Sequence, residues 1–503
     1  MHSRPSSRSS STVSNHSTVH DERAPKASRT KSTTPPSAPA PTANATPRQR
    51  TARVFDHTPA AALARQIYLK VVGGGIFMVV LLIFTVLSIF WGSTWKIPAH
   101  KLPGWVVDFD NGDIGRTVTH ALTSSASNSK IAWTVLPASA FPGGAAQVAG
   151  MVLEEKTWVA VVVNSGASAR LAASLASPNA SYDGADAVTV YAVEARNENG
   201  FRNIIRPSIQ AALDALASSF ARSTAQRIAN GSNVAELLSA SPQTVTAPLR
   251  YRIDNLAPFD VPVATAVTFV GLIYQLILSF FVVMLSDAAR TASSFSSTLT
   301  TRSLVLLRLG TSFVGYFVVS LFYSLLSVAF QLDVSKKFGH SGFLVFWMLN
   351  YCSMLAGGLA LEAMLTLLTS KFIAFFMLVW LITNLSVCVF PIEVMPHIFR
   401  YGYGAPFYNV SQAMRAVVFG TKNVVGLSFG ILIVWIAISC ITMPVFQWFV
   451  HQREAAASTS AQSTEAAAPQ QTESEKRASH ESDGEADHGE TVLGSSGRVS
   501  STV

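Results

Sequence analysis

The chain alternates polar stretches with apolar runs that are too long and too closely spaced for soluble domains to lie between them. Val71–Phe90, Val263–Leu285, Leu309–Phe330, Phe343–Leu368, Phe372–Phe390 and Leu427–Phe446 are each apolar over most of their length. A helix needs about 20 such residues to cross the hydrocarbon of a bilayer. No water reaches backbone groups there, so each run predicts a helix. The expected fold class is a multipass α-helical membrane protein with about six transmembrane helices. The first lies at 71–90 and five crowd into 262–450.

The polar intervals differ in kind. Residues 1–66 are rich in Ser, Thr, Pro and Ala, a composition that cannot build a core and predicts a disordered tail. That tail is too polar for a signal peptide, so 71–90 is expected to remain as an uncleaved anchor. Residues 91–261 are long enough for one folded domain. Val- and aromatic-rich runs at Trp105–Phe109, Ile131–Leu136, Trp158–Val163 and Ala187–Tyr191 predict strands. Ala145–Lys156 predicts a helix. A second has Ile209, Leu213, Leu216 and Phe220 on one face and Pro207 in its first turn. Strands alternating with helices give an α/β domain. The four prolines of Ser239–Pro262 suggest an extended lead-in to the second span. Residues 451–503 predict a second disordered tail.

Charge then orients the molecule. Of 503 residues 49% are hydrophobic and 13% charged, against about a quarter charged in soluble domains. The net charge of +8 is concentrated before the first span, where residues 1–70 hold eleven Lys and Arg against Asp21, Glu22 and Asp56. The positive-inside rule therefore places the N-terminus in the cytosol. Six spans return the C-terminus there and put 91–261 outside it. Arg290, Arg302 and Arg308 in a cytosolic Ser286–Arg308 loop agree. Lys336, Lys337, Arg400, Arg415 and Lys422 would lie outside and disagree, and the first span is given more weight. The sequons at Asn179, Asn230 and Asn409 would face the glycosylating side. Asn15 and Asn44 also begin sequons in the cytosolic tail, which weakens that argument. The basic excess beside one span argues against a nucleic-acid surface.

Candidate chemistry is sparse. No GxxxxGK[ST], HExxH or GxSxG is present, and Cys352, Cys388 and Cys440 all sit in apolar runs without a CxxC pair. No enzyme activity, cofactor or metal is expected. Asp108-Phe-Asp110-Asn-Gly-Asp113 looks like the start of an oxygen-ligand calcium loop but lacks the downstream glutamate. The plainer reading is a strand ending in an Asn-Gly turn with solvated carboxylates. Glu362 lies well inside a span, where a charge costs about 2.5 kcal/mol or more. It must face the bundle interior or water, either as a proton- or substrate-linked site or as a structural hydrogen bond to another helix. Gln275, Asn350 and Asn384 are further polar residues in or near spans, of a type that more often joins helices than binds ligands. The loop 391–426, with Pro391, Pro396, Pro406 and its tyrosines, predicts an interfacial or re-entrant segment. Such a segment either lines a lipid-facing groove or anchors helix ends as an aromatic belt.

Trp91-Gly-Ser93, Val106-Val-Asp-Phe-Asp110, Ile114-Gly115 and Ala405-Pro-Phe-Tyr-Asn409, set in the order one span, domain, five spans, resemble the fungal nitrosoguanidine-resistance family. The likeness covers about 68–449. It implies a plasma-membrane protein similar to the membrane half of ABC-2 type exporters, tied to resistance to toxic compounds and to the handling of membrane lipids. The family supplies no catalytic residues. A homodimer fits the likeness, and the missing P-loop calls for a separate ATPase or ion coupling. The competing expectation is a non-transporting scaffold or regulator that binds proteins through its outer domain and tails.

Overall fold

The computed structural model describes residues 54–124, 129–229, 231 and 233–467. Two units are distinguished along the chain, Met1–Gly74 and Gly75–Val503. In the first, the Arg65 guanidinium donates to the carbonyls of Val54 and Asp56, each at 2.8 Å. Helix α1, Pro59–Leu82, passes through a π turn at Ile83–Leu87 into Ser88–Thr94. It starts well before Val71, so residues 59–66 are helical where composition suggested disorder. None of Pro59–Leu82 is buried. An apolar helix surface bare on all sides needs lipid around it.

The α/β domain contains β1 (Leu102–Asp108), α2 (Asp113–Ser124), β2 (Ile131–Pro137), α3 (Gly144–Leu153), β3 (Val159–Val163), α4 (Ala167–Ala176), β4 (Val188–Ala192), α5 (Arg206–Ile228) and β5 (Tyr251–Asn255). The sheet order is β2-β1-β3-β4-β5. The first three strands are parallel, β4 runs antiparallel to β3, and β5 is parallel to β4. All five β3 residues, Val-Ala-Val-Val-Val, are buried, as a strand covered on both faces requires. On one face Val106, Val159, Val161 and Val163 pack with α2, α4 and α5. On the other, Val107, Ala160 and Val162 pack with Val148 and Val152 of α3.

Ser239–Pro262 is not a plain extended lead-in. It holds short helices, Val234–Ala240 running into it and Pro242–Thr246, followed by β5. All four prolines lie outside the strand, so none removes a ladder hydrogen bond.

Among the described residues, five helices are long and apolar enough to span a membrane. After α1 these are α6 (Val270–Ala292), α7 (Thr301–Ala329), α8 (Gly342–Leu385) and, following the shorter α9 (Pro406–Phe419), α10 (Val425–Ala467). α8 is two helices joined at Thr369, which has φ 62° and ψ 165°. The chain reverses there. Gln275 meets Asn350 and Ser279 meets Met354 along parallel α6 and α8a (342–368). Ser370 then reaches Asp287 near the end of α6, whereas Asn384 reaches Phe407 beside the α/β domain. The fourth and fifth expected spans thus fall on α8a and on the 16-residue α8b (370–385), which together make one of the five long apolar helices. The fifth ends at Leu385 rather than Phe390.

α10 continues to Ala467, into the region expected to be a disordered tail. The outward residues of these helices, among them Phe281, Leu306, Val314, Phe322 and Ile441, are at least 60% exposed. That apolar belt is what a bilayer covers. Fold and belt together establish a multipass helical membrane protein.

Candidate functional site

Two buried polar assemblies and one cavity stand out. Glu362 anchors the first, at the end of the bundle far from the domain, and is 1% exposed. Its Oε1 pairs with Arg308 Nε at 2.7 Å and Arg290 Nη1 at 2.9 Å. Arg308 also donates to the Glu362 carbonyl at 2.6 Å and to Gln447 Oε1 at 2.7 Å. Arg290 continues to Asp287 at 3.4 Å, which accepts from Ser370 at 2.6 Å. The Glu362 carboxylate therefore joins α6, α7 and α8a, and Arg308 extends the assembly to α10. Glu362 Oε2 has no hydrogen-bond partner among the described residues.

This assembly corrects the reading of Ser286–Arg308 as a loop. α6 runs to Ala292 and α7 starts at Thr301, so Arg290 and Arg308 are helical, with side chains 8% and 5% exposed. Their charge is taken up by Glu362. Of the three arginines only Arg302 is on the surface.

A layer nearer the domain is neutral. Gln275 Nε2 donates to Asn350 Oδ1 at 2.6 Å, and Asn350 Nδ2 to Ser324 at 2.8 Å. Gly358 brings α7 close, since a Cβ there would lie 2.2 Å from the Tyr316 hydroxyl. These contacts are the hydrogen bonds and small-residue approaches that hold membrane helices together. Asn384 does not join them. Its Oδ1 faces the backbone N–H of Phe407 at 3.4 Å, in the first turn of α9. The three candidate residues thus lie at three levels and form no common site.

The second assembly fastens the domain to the bundle. Arg415, on α9, is 2% exposed; it donates to the Ala195 carbonyl at 3.0 Å and pairs with Glu198 of the domain. Burial raises the Glu198 carboxyl, but attraction and hydrogen bonding from Arg415 outweigh it, leaving the group below its ordinary value. Ala99 N–H donates to Val394 O at 2.8 Å, and Asn199 to Val389 O at 3.0 Å. The Phe259 and Phe419 rings meet at a tilt of 34° with centroids 4.7 Å apart. One hydrophobic cluster runs unbroken from Val107 and Val162 of the sheet to Phe346 and Leu432 of the bundle.

α9 is the core of that junction. Twelve of its fourteen residues are buried. A helix buried on nearly every side belongs in an interior, and with 14 residues at about 1.5 Å each it is too short to cross a bilayer. α9 itself therefore faces no lipid, while Tyr401 and Tyr403 of the same 391–426 segment are exposed. Asn409 within it is 4% exposed, with its amide donated to Tyr403 and Ala405 carbonyls. The folded protein leaves no room for a glycan there. Asn179 is exposed, its Oδ1 held by Ser181. Asn230 lies outside the described residues.

The Asp108–Asp113 segment is also reassigned. Asp108 Oδ1 accepts from the backbone of Asp110 and Asn111 at 2.9 and 3.0 Å. Asp110 accepts from Ser168 N at 2.9 Å and from the Ser168 hydroxyl. Asp113 stays solvated, with its side chain 63% exposed, whereas Asp108 and Asp110 are partly buried and hold the turn. They plug the carboxyl ends of β1 and β3, the switch point at which open α/β sheets hold ligands. Among the described residues no group of three His, Cys, Asp or Glu is arranged to hold a metal.

The cavity, about 290 Å³, lies where domain and bundle meet. Glu155, Arg196, Glu393 and Lys422 supply charge, Trp158, Tyr403 and Tyr408 aromatic surface, and Leu427 the rim at the start of α10. The Arg196 guanidinium lies 3.5 Å from the Trp158 ring centroid. Sequence reading missed this site. Its residues come from four segments spread over Glu155–Ser428 and carry no spacing signal.

No solved structure matches the chain. Over 198 residues it is 30% identical to an uncharacterized endoplasmic reticulum membrane protein of Saccharomyces cerevisiae, covering 39% of this chain and 38% of that protein. The match thus spans well under half of the relative's length. A family model described as "Protein of unknown function (DUF3533)" matches residues 75–441, from the last third of α1 into the first half of α10, and the chain belongs to that family.

Proposed function

We propose that this protein works as a transporter-like component, similar to an ABC-2 permease half, that protects cells from nitrosoguanidine-type toxic compounds by exporting them or by shifting membrane lipid distribution. The observation that carries the reading is Glu362. A carboxylate with one unpartnered oxygen, held between two arginines deep in a membrane bundle, is costly to keep and is by default a functional candidate. Neutralising the Glu362 carboxylate would weaken its hold on Arg290 and Arg308 and loosen α6, α7 and α8a from one another. That is how a proton or a partner protein could drive a change at one end of the bundle. The chain has no P-loop, so energy would come from an ion gradient or a separate ATPase subunit. A homodimer fits the ABC-2 resemblance.

In this reading the α/β domain lies outside the cytosol or in a lumen, and both tails are cytosolic. The resemblance implies the plasma membrane, whereas the yeast relative is named for the endoplasmic reticulum. Imaging of the tagged protein decides between them.

The second reading is a non-transporting scaffold or regulator. It is favoured by the continuous core between domain and bundle, which makes them one body rather than hinged parts. Glu362→Gln separates the two. Transport predicts loss of resistance and of compound efflux at normal abundance and location. Unchanged resistance at normal abundance supports the scaffold.

A further inference from the structure

We propose that the cavity at the domain–bundle junction binds the headgroup of a zwitterionic phospholipid. The proposal deepens the reading above by naming a lipid class, and it rests on the cavity's own chemistry. Four observations carry it.

First, the charges balance, with Arg196 and Lys422 against Glu155 and Glu393. A neutral lining with separated charges suits a ligand carrying one phosphate and one ammonium better than a net anion.

Second, Arg196 is placed but poorly satisfied. Its face is fixed on Trp158, and it donates to the Thr157 carbonyl at 3.1 Å. Its carboxylates stand off at 3.6 Å (Glu155) and 3.5 Å (Glu393). Arg308 and Arg415 by contrast bond their partners closely. A planar guanidinium with spare donors at 11% side-chain exposure is a ready phosphate ligand.

Third, the aromatic groups suit the other end of the headgroup. Tyr403 and Tyr408 meet edge to face at 5.8 Å, beside Glu393. Aromatic faces next to a carboxylate attract ammonium and quaternary ammonium groups.

Fourth, the rim is where a lipid would enter. Val424, Leu427 and Ser428 open the last apolar helix, and Leu427 is 67% exposed. A headgroup seated between Arg196 and the tyrosines would leave its chains along α10.

The test uses the purified full chain in detergent, with native mass spectrometry and Trp fluorescence as readouts. The probes are phosphatidylcholine, phosphatidylglycerol and soluble glycerophosphocholine. The expected result is binding of phosphatidylcholine about tenfold tighter than of phosphatidylglycerol, with glycerophosphocholine weaker still. Lys422→Ala and Glu393→Gln should each weaken phosphatidylcholine binding several-fold. Both side chains are partly exposed, so the fold should survive; an unchanged melting profile verifies it, and Tyr408→Phe provides a second, milder probe. Equal binding of the two lipids, or binding unchanged in all three variants, overturns the proposal. Glycerophosphocholine binding as tightly as the lipid overturns the lipid source. Export can fail in cells while this binding persists, so failure of the transport reading is separable from failure of the site.

Discussion

Arg415 shows why a residue's role in this protein depends on what the fold brings to it. On sequence it is a cation in a loop that counts against the expected topology. Folded, it is buried on α9 and holds Glu198 and the Ala195 carbonyl of the domain. Removing one member of a buried pair strands the other charge, at about 3–5 kcal/mol. Arg415→Ala should therefore lower the unfolding temperature of the purified protein markedly. Arg415→Ala with Glu198→Gln should recover part of the loss, as a double-mutant cycle would show.

The same pair sets a pH dependence. Glu198 has its carboxyl held below the ordinary value of 4.5 in the folded protein. The folded state thus binds that proton less readily than the unfolded one. The stabilisation is present above about 4.5 and fades as pH falls through the lower, folded value. Glu155 runs the other way, since its burial outweighs Arg196 and raises its carboxyl. Its contribution weakens as pH rises from 4.5. Thermal melts from pH 6 downward should show a loss below about 4.5 that Glu198→Gln abolishes.

Glu362 was legible at this scale, because an acid in an apolar run is conspicuous. Its partners were not. Arg290 and Arg308 sit at the ends of apolar runs, where loop arginines would also sit, and only the helix boundaries distinguish the two.

At the scale of elements, Thr369 is the point on which the bundle turns. Its backbone, at φ 62° and ψ 165°, lies in a region that L residues rarely enter, at a cost of about 1–3 kcal/mol for a non-glycine. Thr369→Gly should stabilise the purified protein by about 1 kcal/mol, read as a higher melting temperature with unchanged helicity. A lower temperature would mean that the turn is held by the threonine side chain.

Periodicity and apolar length made the spans and four of the five strands readable. β5 was hidden because Tyr251-Arg-Ile-Asp-Asn is polar at alternate positions and flanked by prolines. α9 was hidden because its burial is tertiary. Val410–Phe419 looks semi-apolar, yet its two polar buried groups, Ser411 and Arg415, are satisfied by one another, by Thr268 and by the domain.

At the scale of the whole molecule, the sheet and bundle share one hydrophobic cluster, and the cavity lies on their seam. The domain is therefore part of the membrane machine rather than a tethered module. The helix that carries Glu362, Gly342–Leu385, packs against α6, α7 and α10. Sequence order alone suggested a domain inserted between spans, but not that its floor would be continuous with the bundle. The residues that fuse them, Phe259, Phe419, Ala195 and Arg415, lie far apart in the chain.

The measurement that tests the account most directly is topology. One accessibility tag is placed in an exposed turn of the α/β domain and another after Val450, and labelling is compared in intact and permeabilised cells or sealed vesicles. Six crossings with reversal at Thr369 put the two tags on opposite sides of the membrane, with the C-terminal tag cytosolic. Both tags on one side would mean that α8 crosses only once, and would contradict the bundle and the transport reading built on it.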